Sequence, residues 1–160
     1  MQQIRYEPDS KTIQDLVHLY EKGYLNLEPA FQRTSVWTKA DRAKLVDSIL
    51  RNYPLPSIFL YKREHDGQYI YDVIDGKQRI ESILMFMGVI RGHKFPTMSQ
   101  LSLDKEKELI DWKLLCRKKF QHKITGYKVQ AIEVSGDFAD IIDLFVRINS
   151  TGKALTASEK

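Results

Sequence analysis

The chain has 160 residues, of which 42% are hydrophobic, and 25 Lys and Arg against 21 Asp and Glu give a net charge of +4. This length and composition predict one domain, residues 1–160, with a hydrophobic core. The single cysteine, Cys116, excludes an internal disulfide, fits a reducing compartment and is interpreted as a packing residue. No apolar run approaches the roughly 18 residues of a membrane span, and no secretory signal opens the sequence. We therefore expect a cytoplasmic protein.

The first elements are a helix, a short strand and a loop. Apolar residues at helical spacing predict a helix over residues 10–23, capped by Ser10 and ended by Gly23. Residues 25–27 alternate like a short strand, and residues 28–37 predict an irregular loop.

A second helix and a hairpin follow. Thr38 and Asp41 resemble a capping box. The helix that follows this box should bury four apolar side chains, namely Leu45, Val46, Ile49 and Leu50. The two runs 57–61 and 69–74 predict a hairpin across residues 65–67.

The second half predicts a helix from Ser102 or Asp104 to about residue 120, a strand over residues 124–134, and an amphipathic helix from residue 136. A capping-box pattern at residues 156–159 predicts the start of another helix. Because the sequence stops there, we expect it to be the N-terminal fragment of a longer protein. The amphipathic helix should bury a stripe formed by Phe138, Ile141, Ile142, Phe145 and Ile148.

The most informative segment is Asp75-Gly76-Lys77-Gln78-Arg79, between a strand-like and a helix-like run. The first N–H groups of a helix lack internal partners and carry partial positive charge, which favours an anion, most naturally phosphate. The guanidinium of Arg79 adds a planar fork suited to phosphate oxygens. The carboxylate of Asp75 does not suit a bare anion site and indicates a metal ion or an activated water. Taken alone, Asp-Gly is also a common turn, and Asp a routine helix cap.

Two further polar clusters lie at the ends of predicted elements, where ligands can be reached. Gln32 and Arg33, with Trp37, precede the second helix. The other cluster closes the amphipathic helix and contains Arg147, Asn149, Thr151 and Gly152. Each cluster also has a plain structural interpretation: a loop ion pair for Arg33, core packing for Trp37, and a C-terminal cap for residues 149–152.

Several kinds of site are disfavoured by the sequence. The four histidines form no metal-spaced pair, which argues against zinc. Neither a Walker-type phosphate loop nor a dinucleotide-binding glycine motif is present. The basic run 117–119 is interpreted as a solvated helix end rather than a nucleic-acid patch, because cations are already favourable there.

Taken in order, the three clusters resemble the N-terminal domain of GmrSD-type modification-dependent restriction systems, a family of the ParB/sulfiredoxin-like superfamily. The resemblance runs from about residue 13 to residue 159. The middle motif of the family is usually D-G-Q-Q-R. Here Asp75, Gly76, Gln78 and Arg79 keep their places, and Lys77 adds a cation where the family has an amide.

The resemblance implies a mixed α/β fold with a small, partly open sheet surrounded by helices. It also implies binding and hydrolysis of a nucleoside triphosphate with Mg²⁺, coupled to a C-terminal nuclease that cuts modified phage DNA. Asp75, Gln78 and Arg79 would be catalytic, with Asp75 contacting Mg²⁺ or acting as base and Gln78 orienting water. The nucleotide would be held by Gln32, Arg33, Trp37, Gly76, Lys77, Arg147, Asn149, Thr151 and Gly152.

Two alternatives stay open. A non-catalytic DNA-binding or DNA-sensing module of ParB type fits the positive charge, and its affinity would fall steeply with salt. A nuclease ranks last, because a single aspartate without a second acidic partner makes a poor two-metal site. The expected partners are the nucleotide, DNA and the C-terminal effector domain, and homo-oligomerisation is compatible with each hypothesis.

Overall fold

The computed structural model describes residues 4–28, 37–91, 94–102 and 104–158, with only the backbone described from residue 149 onward. The fold is mixed α/β, as predicted. Within these ranges it comprises a five-stranded mixed sheet, a two-stranded sheet and six helices. No helix of the described part is long and apolar enough to cross a membrane. In chain order the elements are β1 (Arg5–Thr12), α1 (Ile13–Glu21), β2 (Leu25–Asn26), α2 (Lys39–Leu50), β3 (Ile58–His65), β4 (Gln68–Asp75), α3 (Lys77–Phe86), β5 (Thr97–Ser99), β6 (Glu108–Ile110), α4 (Trp112–Arg117), α5 (His122–Thr125), β7 (Lys128–Ser135) and α6 (Phe138–Ser158).

The large sheet has the strand order β1-β7-β3-β4-β2. Strands β1 and β7 are antiparallel, as are β3 and β4, whereas β3 is parallel to β7 and β2 is parallel to β4. The carboxyl ends of β2 and β4 therefore lie at the same edge of the sheet. Because α3 begins directly after β4, its first turn lies at this edge, next to the chain that leaves β2.

The sheet has an apolar cluster on each face, because neighbouring residues of a strand point in opposite directions. Leu60 and Val73 belong to the main core with α1, α2 and α3, and both are fully buried. Tyr61 and Ile74 point the other way and pack in a second cluster with Ile141 of α6. The helices α1 to α3 and the helix α6 therefore lie on opposite faces of the sheet.

Three predicted local features are confirmed. Thr38 and Asp41 form a reciprocal capping box at the start of α2, in which each backbone N–H donates to the other side chain. The hairpin β3–β4 turns at Asp66 and Gly67, whose φ angles of 51° and 78° give the positive values that a two-residue hairpin turn needs. The short strand after α1 is β2.

The predicted start of the first helix is wrong. Ser10 lies within β1, and Thr12 caps α1 by accepting a hydrogen bond from Asp15 N. β1 pairs with β7 over its whole length and is mostly exposed. As an edge strand with few apolar residues it lacks the alternation that identifies a strand, and it tolerates Pro8. The sequence pattern therefore missed it.

The predicted helix from residue 102 to residue 120 is also wrong at its beginning. Strands β5 and β6 form a small hairpin, and α4 starts only at Trp112, where Asp111 accepts a hydrogen bond from Leu114 N at 2.8 Å. Cys116 is exposed rather than packed, because α4 buries the neighbouring Leu115 instead. The predicted strand 124–134 begins at residue 128, since residues 122–125 form α5.

The last helix differs from the prediction in two ways. It runs without interruption from Phe138 to Ser158, so residues 149–152 do not close it and no new helix starts at Thr156. A glycine within a helix costs only about 1 kcal/mol relative to alanine, which does not by itself end the helix. Within the predicted stripe, Ile141 and Phe145 are buried, whereas Phe138, the first residue of the helix, is 54% exposed.

Candidate functional site

The first turn of α3 differs from those of its neighbours in its cap. Gly76 is the N-cap residue and offers no side chain to the backbone N–H groups of the turn. By contrast, Thr12, Thr38 and Asp111 cap α1, α2 and α4 with side-chain oxygens. The amino terminus of α3 therefore keeps its partial positive charge without an oxygen from its own N-cap residue.

The conformation of Gly76 is set by its backbone and by Ile58, the first residue of β3. The φ angle of Gly76 is +107°, a value that residues other than glycine rarely adopt. A Cβ atom added there would lie 2.4 Å from Cγ2 of the buried Ile58. The strand-to-helix turn thus brings the backbone of the motif into direct contact with the start of β3.

Lys77 is held at the sheet edge by the segment that follows β2. Its Nζ lies 3.2 Å from Oε1 of Glu28, and its side chain is 11% exposed. The carboxylate of Glu28 is in turn 76% exposed. An anion that binds at the α3 turn would therefore compete with Glu28 for the ammonium group of Lys77.

Arg79 contacts the chain that leads into β3. Its Nη1 donates to the carbonyl of Pro56, and its Nη2 donates to the carbonyl of Ser57 at 3.4 Å. Burial lowers the pKa of the Arg79 guanidinium, against the opposing effect of the Asp75 carboxylate, whose Oδ2 lies 3.5 Å from Nη2. The sequence did not predict this structural role. A guanidinium has five N–H donors, so these contacts are compatible with a phosphate oxygen as a further acceptor.

Asp75 ends β4, and its side chain is 39% exposed. In the described residues no group of three or more His, Cys, Asp or Glu is arranged to hold a metal ion. Mg²⁺ that arrives with a nucleotide needs one or two carboxylates beside phosphates and water. Asp75 is a single accessible carboxylate next to the first turn of α3, and it meets that requirement.

The sequence comparison decides the family. A family model described as "GmrSD restriction endonuclease, N-terminal domain" matches residues 13–160. The chain belongs to the GmrSD N-terminal domain family. This confirms the resemblance seen in the motifs and links the chain to a restriction system. A comparison with curated proteins finds none that matches.

In this GmrSD N-terminal domain, Gln78 is joined to α2 by an arginine that the sequence analysis did not single out. Nη2 of Arg42 donates to Oε1 of Gln78 at 3.1 Å and to Oε1 of Glu81 at 2.7 Å. Nη1 of Arg42 donates to Oγ of Ser82 at 2.9 Å. Glu81 thus faces α2. The available signal was that Arg42 precedes Leu45, Val46 and Ile49 at helical spacing, so that a cation lies on the buried stripe.

The structure describes only some of the remaining predicted site residues. Gln32 and Arg33 lie outside the described residues. Trp37 is half-buried and packs against the main core, in agreement with its structural interpretation. Arg147 is exposed on α6, where its Nε lies 3.0 Å from Oδ2 of Asp143. The side chains of three further candidates also lie outside the described part, namely those of Asn149, Thr151 and Gly152.

Proposed function

We propose that this domain binds and hydrolyses a nucleoside triphosphate at the first turn of α3, as the regulatory part of a restriction system that acts on modified phage DNA. The observation that carries the proposal is the α3 amino terminus, where the N-cap residue is a glycine and the cations Lys77 and Arg79 lie beside it. Helix dipole, backbone N–H groups and two cations favour the same kind of ligand, a phosphate chain.

Binding would use groups that are already in place. The N–H groups of the first turn donate to phosphate oxygens, and Arg79 adds an N–H that its carbonyl contacts do not use. Lys77 exchanges the Glu28 carboxylate for a phosphate oxygen. Gln32 and Arg33 belong to the segment that begins directly after Glu28, and we assign them to the phosphate chain as well.

Hydrolysis would proceed by attack of a water oxygen on the terminal phosphorus. The new P–O bond forms as the bond to the leaving phosphate oxygen breaks, giving a nucleoside diphosphate and inorganic phosphate. Gln78 orients the water, and Asp75 either accepts its proton or holds Mg²⁺. Mg²⁺ bound with the nucleotide would neutralise phosphate charge. Such a reaction depends mainly on positioning and charge stabilisation, which this set of residues supplies.

The test compares Lys77→Ala with Lys39→Ala. Lys39 is the first residue of α2 as Lys77 is of α3, but α2 carries the Thr38 capping box. Nucleotide binding is measured by calorimetry with ATP, GTP and CTP in the presence of Mg²⁺, and hydrolysis by phosphate release. The proposal expects both activities in the wild type and in Lys39→Ala, and at least about tenfold weaker binding in Lys77→Ala, or about 1.4 kcal/mol. Equal binding by both variants, or none by the wild type, would contradict it.

A second candidate function is DNA binding, and one observation favours it. Residues 105–128 contain eight Lys or Arg against three Asp or Glu, so their net charge of +5 exceeds the +4 of the whole chain. A groove of about 390 Å³ lies in this region, with Lys113 and Arg117 of α4 among its lining residues. Such a surface suits a phosphodiester backbone.

The DNA-binding hypothesis is tested with the paired substitution Lys113→Glu and Arg117→Glu. We expect it to weaken binding of a labelled duplex, measured by fluorescence anisotropy, and to flatten the dependence of affinity on salt. Lys22→Glu, at the end of α1, is the control for a single exposed charge elsewhere. Comparing modified with plain DNA then shows whether this domain senses the modification. Unchanged binding by the paired variant would exclude this surface.

A further inference from the structure

A cleft of about 420 Å³ opens where the linker between α2 and β3, residues 51–57, passes the start of β7. Tyr53 and Leu55 of the linker supply apolar surface to it. Polar groups come from Asn52, Lys128 and Gln130. Sites for small molecules have about 300–1,000 Å³ and combine apolar walls with a few polar groups. The cleft therefore has the size and the mixed lining of a site for a small organic ligand.

Tyr127, the residue before β7, joins the two sides of the cleft. It is 7% exposed, and its hydroxyl donates to the carbonyl of Tyr53 at 2.7 Å. Burial raises the pKa of the Tyr127 phenol, whereas a hydrogen bond from the backbone of Leu55 and the charge of Arg79 lower it. Two positions of the linker are thus tied to β7, and the shape of the cleft is set without a ligand. The same tyrosine lies close enough to Arg79 to interact with its charge.

The cleft and the first turn of α3 lie at the same edge of the sheet. Strands β3 and β7 begin at this edge and β4 ends there, because β3 is parallel to β7 and antiparallel to β4. Two strand spacings separate β7 from β4, which corresponds to roughly 10 Å. Arg79 of α3 donates to the carbonyl of Pro56, and the preceding residue, Leu55, lines the cleft. A ligand that fills the cleft can therefore extend past Arg79 to the α3 turn.

Tyr53 offers an aromatic face to such a ligand, since it is 52% exposed. Arg51 lies beside it, and hydrogen bonds to Asp47 and Tyr53 raise the pKa of the Arg51 guanidinium. The ring is thus held in place while one face stays accessible. Every nucleobase has a π-face that stacks on a ring of this kind. The amides of Asn52 and Gln130 each carry a donor and an acceptor, which are the groups that contact the edge of a base.

We propose that this cleft binds the nucleoside part of the nucleotide: the base stacks on Tyr53, the amides of Asn52 and Gln130 contact its edge, and the phosphates extend past Arg79 to the first turn of α3. The proposal rests on the proposed function, because it places the other half of the same ligand. It assigns the base preference to the cleft. The α3 turn then contacts only the phosphates, which all nucleoside triphosphates share.

The first arm of the test separates the nucleoside from the phosphates with inorganic tripolyphosphate, which has no nucleoside. Calorimetry with Mg²⁺ compares it with ATP, GTP, CTP and UTP on the wild type, Tyr53→Ala and Tyr69→Ala. We expect the wild type to bind its preferred nucleotide more tightly than tripolyphosphate. Tyr53→Ala should bind that nucleotide about tenfold more weakly and tripolyphosphate with unchanged affinity. Tyr69→Ala is the matched control, because Tyr69 is a 49% exposed tyrosine near the start of β4, at the opposite edge of the sheet.

The second arm locates the nucleoside directly and needs no turnover. Backbone amide signals of the ¹⁵N-labelled protein are compared in the presence of the preferred nucleotide and of tripolyphosphate. Shifts caused by the nucleotide alone should fall on residues of the cleft, namely Asn52, Gly126, Lys128 and Gln130. If Tyr53→Ala does not fold, Gln130→Ala replaces it in the first arm, with the same expected direction.

The outcomes distinguish this proposal from the proposed function. Unchanged nucleotide affinity in Tyr53→Ala, or nucleotide-specific shifts outside the cleft, would overturn the nucleoside site and leave the phosphate site at α3 intact. Equal affinity of the wild type for tripolyphosphate and for all four nucleotides would overturn it in the same way. A wild type that binds neither kind of ligand would refute the proposed function, and the nucleoside site with it.

Discussion

The ammonium nitrogen of Lys77 lies 3.2 Å from Oε1 of Glu28, so the first residue of α3 is joined to the chain that has just left β2. The glutamate is largely exposed, whereas the lysine is nearly covered. An ion pair with one exposed partner contributes little to stability, on the order of 0–1 kcal/mol. The carboxylate of Glu28 is therefore held only weakly, and under the proposed function a phosphate oxygen would replace it.

Replacing Glu28 with glutamine should tighten nucleotide binding. Removal of the competing carboxylate frees Lys77 and removes repulsion of the incoming phosphate, and about 0.5–1 kcal/mol corresponds to roughly a two- to fivefold lower Kd. Calorimetry at low salt measures the change. Glu64→Gln removes an exposed glutamate at the far end of β3 and should leave the Kd unaltered. A Kd that rises in Glu28→Gln would show that the carboxylate helps the ligand bind.

Gly76→Ala should destabilise the domain far more than Gly67→Ala. Both glycines have positive φ, which costs a substituted residue about 1–2 kcal/mol. At Gly67 nothing lies within 4 Å of the added Cβ, whereas at Gly76 it would overlap Ile58. We expect about 1 kcal/mol for Gly67→Ala and more than about 3 kcal/mol for Gly76→Ala, measured by urea unfolding. Equal losses would mean that α3 can move away from β3 without cost.

Arg79→Ala should lower both stability and ligand binding. The carbonyls of Pro56 and Ser57 lose their donor, and such a loss typically costs about 1–3 kcal/mol when the groups are shielded from water. Thermal unfolding of the ligand-free protein separates this effect from binding. Arg147→Ala is the comparison for an exposed arginine, for which we expect less than about 1 kcal/mol. Undiminished stability of Arg79→Ala would restrict Arg79 to a ligand-binding role.

The capping box of α2 should make stability depend on pH through Asp41. The hydrogen bond from the backbone N–H of Thr38 lowers the pKa of Asp41 from its ordinary value of 3.8. The folded state therefore binds this proton more weakly than the unfolded state, and the contribution of Asp41 is present above about pH 4 and disappears as pH falls. Denaturant unfolding should show Asp41→Asn less stable than the wild type at neutral pH and the two converging near pH 2. A constant difference across this range would contradict the linkage.

Sequence reasoning succeeded where a structure is specified by neighbouring residues. The capping box of Thr38 and Asp41, the hairpin turn at Asp66 and Gly67, and the strand-to-helix turn at Gly76 each depend on a few consecutive side chains. The three motifs taken together also indicated the family, which the family model confirms. Each of these features is local, so one sequence contains its full signal.

It failed where distant partners decide. β1 is polar and becomes a strand because β7 pairs with it, not because its own residues favour one. Helix α4 begins only at Trp112, after its cap Asp111, because residues 108–110 pair with β5. Arg42 could be seen as a charge on a buried stripe, but its partners lie on another helix, nearly forty positions away. These contacts follow from tertiary packing, which overrides local propensity.

The position of β7 between β1 and β3 has a consequence for how the chain folds. Arg5 pairs with Ser135, and Ile58 pairs with Ala131. Strands β1 and β3, which are synthesised early, therefore need β7, which is synthesised late, as their partner. The conformational entropy of closing such long loops is lost before the strand pairs can form, so folding of this kind is slow. During synthesis on the ribosome, β1 and the side of β3 that pairs with β7 remain without their partner until residue 135 has emerged. The hairpin β3–β4 and the helices packed on it can form first, and completion of the sheet is then a late, cooperative step.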